Sequence, residues 1–303
     1  METSDQIKAP NRVKATDREK ALAAKILQHY RDQKYEQANA LLAQALEASE
    51  HPRFKRIQAR FDLFEGREAE AATTIKNILP QIWNAGSWEL ALADNGCSRA
   101  WVLHDQKILY FPLRKCASTS LLNMMKILAG EENRGEHIHQ EDHKRVVVDL
   151  NKMATDYQGY FSCTVVRDPI ERLMSFFHGN IVGREHLMRE YDGLTEFYGL
   201  PTKPSLDYFL DNFVRYRQVF ISVRDHTEPL VTSIGKRPEV FDWIGSLSKI
   251  PGLVAQLSAR SGVDLPLMQE MASTEKPVSQ QAGIPEAIRL LYVADYKAYG
   301  AFL

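Results

Sequence analysis

One stretch constrains the fold of this chain more than any other. It runs from Ile108-Leu-Tyr-Phe111 through Pro112-Leu-Arg-Lys-Cys-Ala117 to Ser118-Thr-Ser-Leu-Leu-Asn-Met-Met-Lys-Ile-Leu128. The four apolar residues make a buried strand that Pro112 stops. Leu121, Met124, Met125 and Leu128 recur at i, i+3, i+4 and i+7, the stripe of an amphipathic helix ending at Gly130. Ser118, Thr119 and Ser120 stand at the helix start, with Arg114 and Lys115 just ahead of them. Hydroxyls, free backbone N–H groups and two cations converge there, which suits a phosphate or sulfate. The same hydroxyls could serve only as helix caps, and pattern alone leaves both roles open. The motif G-x-x-x-x-G-K-[ST] is absent and no glycine lies between residues 97 and 129, so this is not an ordinary nucleotide-triphosphatase loop.

A second strand-to-helix unit follows. Tyr160-Phe-Ser-Cys-Thr-Val-Val166 reads as a buried strand running into Arg167-Asp168-Pro169-Ile-Glu-Arg172-Leu-Met-Ser175. Asp168 is a good N-cap and Pro169 a good first helical residue, which puts Arg167 at the carboxyl end of the strand and Ser175 on the helix. Open parallel sheets bind ligands at those carboxyl ends, so two such units place Lys115 and Arg167 on one rim. An ion pair of Arg167 with Asp168 or Glu171 is the plainer reading of that residue.

Outside these units the chain divides into parts. Residues 1–16 are polar and expected to be loose. Residues 17–82 are helical throughout, with Ala and Leu at helical spacing. Tyr35-Glu-Gln-Ala38 with Leu42 and Leu46 resembles Glu68-Ala-Glu-Ala71 with Ile75 and Leu79 at an offset of 71 − 38 = 33 residues. That offset suggests stacked helical hairpins of a tetratricopeptide-like kind, about two of them, packed on the next domain. They would dock a protein partner or simply cap the fold. Residues 83–100 read as a connection and 101–303 as the second domain. A strand at Trp101–Leu103 is expected to pair with Ile108–Phe111 through a turn at residues 104–107.

The two strand-to-helix motifs together resemble those of the Golgi-type carbohydrate sulfotransferases (sulfotransferase family 2) and their bacterial relatives. Arg114-Lys-Cys-Ala-Ser-Thr-Ser120 is similar to that family's 5′-phosphosulfate loop, and Val165-Val-Arg-Asp-Pro-Ile-Glu-Arg-Leu-Met-Ser-Phe-Phe177 to its 3′-phosphate motif. His226-Thr-Glu-Pro229, Val240–Gly245 and Leu291-Tyr-Val-Ala-Asp-Tyr-Lys-Ala-Tyr-Gly300 extend the resemblance, which covers about residues 100–303. Arg114 stands where Pro is common, and Leu230 where Gln is common.

The resemblance implies an α/β fold with a P-loop-like parallel sheet flanked by helices, preceded by the all-α segment. It implies 3′-phosphoadenosine 5′-phosphosulfate (PAPS) as donor and a hydroxyl of a carbohydrate or glycolipid as acceptor. Lys115 would contact the oxygen on which charge builds. Arg114 and the backbone and hydroxyls of Cys116, Ala117, Ser118, Thr119 and Ser120 would hold the 5′ end, and Arg167 and Ser175 the 3′-phosphate. The family places a His after the phosphosulfate helix, and His137-Ile-His139 matches it. His139 is favoured as the base, ahead of His137, with Glu141 and His143 in reserve. No metal is expected, since sulfuryl transfer needs alignment and charge stabilisation and no Asp-x-Asp cluster is present. Arginines and tyrosines between Gly179 and Asp225 are candidates for the acceptor, and Ser273 and Lys276 for a closing loop.

Bulk properties narrow the rest. Lys and Arg number 38 against 39 Asp and Glu, a net charge of −1, which offers no general attraction for nucleic acid. Cys97, Cys116 and Cys163 form neither a disulfide framework nor a metal-ligand spacing. With no signal-like or membrane-length apolar run, a soluble, cytoplasmic, bacterial enzyme is expected. Two rivals stand beside it: a nucleotide-dependent kinase on the same core, and a helical-repeat adaptor whose nucleotide domain has lost activity.

Overall fold

The computed structural model describes residues 15–82, 85–132, 138–139, 145–266 and 283–303. The chain opens with two helical hairpins, α1 (Asp17–Arg31) with α2 (Tyr35–Ala48) and α3 (Pro52–Phe64) with α4 (Glu68–Ile78). The internal similarity is visible in the backbone. Gln33 and Gly66 both take positive φ, +59° and +80°. Lys34 and Arg67 then cap the second helix of each hairpin at nearly the same angles, φ −90° ψ 61° and φ −87° ψ 64°. Ala38 and Ala71 are fully buried one turn later, the small residues that let paired helices approach.

Next come α5 (Ser87–Ala93), β1 (Cys97–Leu103) and β2 (Ile108–Phe111). A helix and the first half of a strand thus occupy residues read as a connection, because Leu90, Leu92 and Ala93 have an apolar layer to pack against that sequence alone does not display. The expected hairpin is present, with Trp101 opposite Tyr110 and Leu103 opposite Ile108. After it come α6 (Ser118–Leu128), β3 (Val146–Asp149), α7 (Met153–Asp156), β4 (Phe161–Val165) and α8 (Pro169–Phe176). The chain continues through α9 (His186–Glu190), the small ribbon β5 (Glu196–Phe197) and β6 (Leu200–Pro201), then α10 (Leu206–Asp211), α11 (Phe213–Val219), α12 (Ile221–Thr227) and α13 (Leu230–Ile234). It closes with β7 (Trp243–Gly245), α14 (Ile250–Ser261) and α15 (Glu286–Tyr299).

The main sheet has the order β3-β1-β2-β4-β7. Strands β2, β4 and β7 run parallel, while β1 is antiparallel to both its neighbours. Strands β2 and β4 are buried along their whole length, as strands covered on both faces must be. Met124 and Phe176 are fully buried. A second apolar cluster joins Tyr30, Phe61 and Phe64 of the hairpins to Phe176, Phe197, Phe220 and Tyr292, so the helical segment shares a core with the α/β part. Ion pairs reinforce the seam. Arg31 meets Asp192 at 2.9 Å, and Arg224, itself buried, meets Glu68 at 2.6 Å and Glu228 at 3.0 Å. Among the described residues no helix is long and apolar enough to cross a membrane.

Candidate active site

Both parallel strands deliver their loops to the same end of the sheet. After β2, the backbone takes positive φ at Lys115 (+63°) and at Ala117 (+57°), but not at Arg114, Cys116 or Ser118. Alternation of hand turns successive N–H groups to one side, the geometry of an anion-binding nest. Neither residue is glycine, so this conformation is strained and must be held by its surroundings. The hold comes from Cys116 between them, which is fully buried in the core under the sheet and whose backbone N–H donates to Leu113 O at 3.3 Å. The Cys116 thiol is fully buried and burial raises its pKa, so this side chain serves the core.

Helix α6 starts directly from this loop, and Ala117 at its N-cap supplies no side-chain cap. By contrast, Thr16 caps α1 in a capping box, and Asp168 caps α8 by accepting from the N–H groups of Ile170 and Glu171. Ala117 therefore brings no side-chain acceptor of its own to the N–H groups at the start of α6, a position suited to an anion. Ser118 and Ser120 are buried beside them, and Thr119 is half-buried.

Lys115 reaches across to the chain after α8, where the helix widens over Phe177–Val182. Its Nζ donates to Asn180 Oδ1 at 3.0 Å and lies over Gly179, where an added Cβ would stand 3.6 Å from it. Burial, with Arg184 and Arg167 close by, pushes the amine down to about 8. Three cations thus share one rim. Arg167 leans on Glu171, its Nε 3.1 Å from the carboxylate, so the ion pair and the rim position coexist. Ser175 is half-buried on α8. Arg114 points elsewhere, its Nη2 3.2 Å from Asp225 Oδ2.

Helix α15 braces this arrangement from behind. Tyr292 donates to Thr227 O at 2.9 Å, Tyr296 to Asp168 Oδ2 at 2.9 Å, and Tyr299 to Gly235 O at 2.8 Å. Asp295 accepts from the N–H groups of Leu230 and Val231 at 2.8 and 2.9 Å. Leu230 is consequently buried and held by its backbone.

Residues 98–243 match the family model described as the sulfotransferase family. Over those residues the chain is similar to the sulfotransferases. No curated protein and no solved structure matches the chain. The matched span takes in the sheet from β1 to the start of β7, together with Lys115, Arg167 and Ser175.

Around the cradle the described histidines fall into two groups. His139 packs on the cradle helix, its Nε2 2.9 Å from Thr119 Oγ1. His137, Glu141 and His143, like Ser273 and Lys276, lie outside the described residues. The second group was not assigned a role from sequence. His226 stacks on Phe176 with ring centroids 4.6 Å apart, places Nδ1 2.7 Å from Ser222 O, and lies edge-on to His186 at 6.2 Å. Burial and the Arg114 charge lower the pKa of both, so they stay neutral beside the cationic rim.

Asn180 also escaped the sequence reading as a site residue, and Glu171 was read only as an ion-pair partner of Arg167. Gly179-Asn180 inside a helical stretch is the only local signal for the first. Most arginines offered for acceptor binding do other work. Arg217 pairs with Glu228 at 2.8 Å, Arg224 sits in the seam described above, and Arg215 donates to Phe64 O. Arg184 and Arg189 are the exposed members of that set. Tyr191 and Tyr216 are core residues, their hydroxyls donating to Val219 O and Pro201 O. Among the described residues no three His, Cys, Asp or Glu side chains are grouped to hold a metal ion.

Proposed function

We propose that the α/β domain is a sulfotransferase that uses PAPS as its donor and moves the sulfuryl group to a hydroxyl on a carbohydrate or glycolipid. The observation that carries the donor reading is the set of donors gathered around Lys115. A helix start without a side-chain cap, a nest of alternating hand and three clustered cations face one spot.

In this reading the backbone N–H groups from Ala117 to Ser120 hold the 5′-phosphosulfate. Lys115 leaves Asn180 to meet the bridging oxygen as negative charge develops on the departing phosphate. Arg167 and Ser175 take the 3′-phosphate, with the planar guanidinium offering two parallel donors. Arg114, tied to Asp225, contributes through its backbone. His139 takes the proton from the acceptor hydroxyl, and that hydroxyl displaces Thr119 from Nε2 on arrival. Atoms balance without a metal: the acceptor oxygen forms a bond to sulfur, the bond from sulfur to the bridging oxygen breaks, and the proton moves to the imidazole. The acceptor class rests on the sequence resemblance and on the exposed Arg184 beside Lys115. The hairpins α1–α4 are offered as a docking platform for a protein partner.

Calorimetric titration with 3′-phosphoadenosine 5′-phosphate, with and without magnesium and beside ATP, tests the donor. Tight, metal-independent binding that discriminates against ATP is expected. A preference for magnesium-ATP would move the function to phosphoryl transfer, and no binding of either would leave an adaptor. For the base, His139→Ala should abolish transfer while donor binding persists, and normal turnover would remove His139 from the mechanism.

A further inference from the structure

Helix α15 buries one face and exposes an apolar seam on the other. Ile288, Tyr292, Asp295 and Tyr299 are at most 1% exposed. On the opposite side Glu286, Leu290, Val293 and Lys297 recur at i, i+4, i+7 and i+11, and all four are exposed. Leu290 is 62% exposed and Val293 56%, among the most exposed large apolar side chains of the described residues. Steps of four, three and four residues form the seam by which one helix meets another.

The order of the four residues selects the partner. Their positions are symmetric about the midpoint between Leu291 and Tyr292. A second α15, laid antiparallel across a two-fold axis at that midpoint, sets Leu290 of each copy against Val293 of the other and Glu286 of each against Lys297 of the other. A parallel pair would instead face like charge with like charge. Among the described residues neither Glu286 nor Lys297 has an ion-pair partner. An acidic first turn and a basic last turn also suit the dipole of their own helix, but that gives no reason for the two apolar residues between them.

We propose that α15 is a self-docking helix, through which two copies of this chain associate about a two-fold axis as an antiparallel helix pair. The seam runs for about three turns, so the interface is small and the dimer concentration-dependent. Apolar contact between Leu290 and Val293 supplies the attraction, and the two pairs of Glu286 with Lys297 fix the direction of the helices. The inward face of α15, with Tyr292 and Asp295, is untouched by the pairing, so the cradle does not depend on it.

The test is sedimentation equilibrium of the full chain at low salt, from about 1 µM to about 1 mM. The mass should rise with concentration from 34.6 kDa towards that of two chains. Leu290→Lys should raise the dimer Kd about a hundredfold, because the substitution counts twice in a two-fold interface. Its Tm should hold, since the site is exposed and Glu286 lies one turn away. Charge exchange then tests the direction of the helices. Glu286→Lys and Lys297→Glu should each raise the Kd by up to about tenfold. The double variant should recover the wild-type value, and an equal mixture of the two single variants should dimerise better than either alone. A chain that stays at 34.6 kDa throughout overturns the proposal and leaves the face to a different partner. A dimer indifferent to Leu290→Lys also overturns it, as one built on the exposed Val146 and Val147 of β3 would be. A double charge variant no better than the single ones overturns the antiparallel pairing.

Discussion

The C-terminal helix and the loop after β2 are both rich in polar groups, yet they treat them in opposite ways. Along one stripe of α15, Tyr292, Asp295, Tyr296 and Tyr299 each meet a named backbone or carboxylate partner within 3 Å. In the loop, the hydrogen-bonding capacity is assembled and then left open. Ala117 cannot cap α6, and Lys115 holds only an amide oxygen while facing two other cations. A fold at equilibrium pairs its buried polar groups, so a place where it does not is where an external partner is expected. The polar groups of α15 fix geometry, and those of the loop are available for chemistry.

That contrast can be broken by exchanging the symptoms of the two regions. Asp295→Ala leaves the N–H groups of Leu230 and Val231 without acceptors, at a cost of about 2–5 kcal/mol from the two orphaned donors. Denaturant unfolding should show that loss. Nucleotide affinity of the fraction that remains folded should change little. Lys115→Ala should behave in the opposite way, costing roughly a hundredfold in affinity for 3′-phosphoadenosine 5′-phosphate, about 3 kcal/mol. Its Tm should hold or rise, because a desolvated amine crowded by Arg167 and Arg184 has been removed. If Lys115→Ala unfolds the protein instead, the loop is structural and the contrast fails.

The fold was legible where one residue type answers to one demand. Ile108–Phe111 and Phe161–Val165 read as strands because an unbroken apolar run of that length has few other uses, and Asp168-Pro169 announced a helix through capping chemistry. The repeat of the hairpins was visible because a small residue is needed at the same point in each, Ala38 and Ala71. Helix α5 was missed, since its alternation of Leu and Ala gains meaning only from the layer beneath it. The cradle was legible through its charges and hydroxyls but not through its backbone. Positive φ at Lys115 and Ala117 breaks the expectation that glycine marks such positions, and it is held by the packing of the buried Cys116 between them. Asn180 and His226 have the same origin, since contacts made across 65 residues, or by stacking on Phe176, leave no local pattern.

A smaller effect sharpens the comparison within the rim itself. Glu171 holds Arg167 by an exposed i, i+4 pair, an interaction of only about 0.3–0.5 kcal/mol. Glu171→Gln should free the guanidinium and raise nucleotide affinity by up to about twofold, with no change in Tm beyond error. A fall in affinity would mean that Glu171 orients Arg167 for the phosphate.

The central claim is that the Lys115 amine binds the donor as a cation whose pKa the fold has depressed. Its charge is complete well below pH 8 and is lost as the pH rises through about 8, rather than above 10 as for an ordinary lysine. The direct measurement is the affinity for 3′-phosphoadenosine 5′-phosphate from pH 6.5 to 9.5, in the wild type and in Lys115→Arg. The account predicts that wild-type affinity falls about tenfold per pH unit above 8, while the arginine variant, whose charge persists, stays flat over the same range. Equal slopes for the two proteins would contradict it.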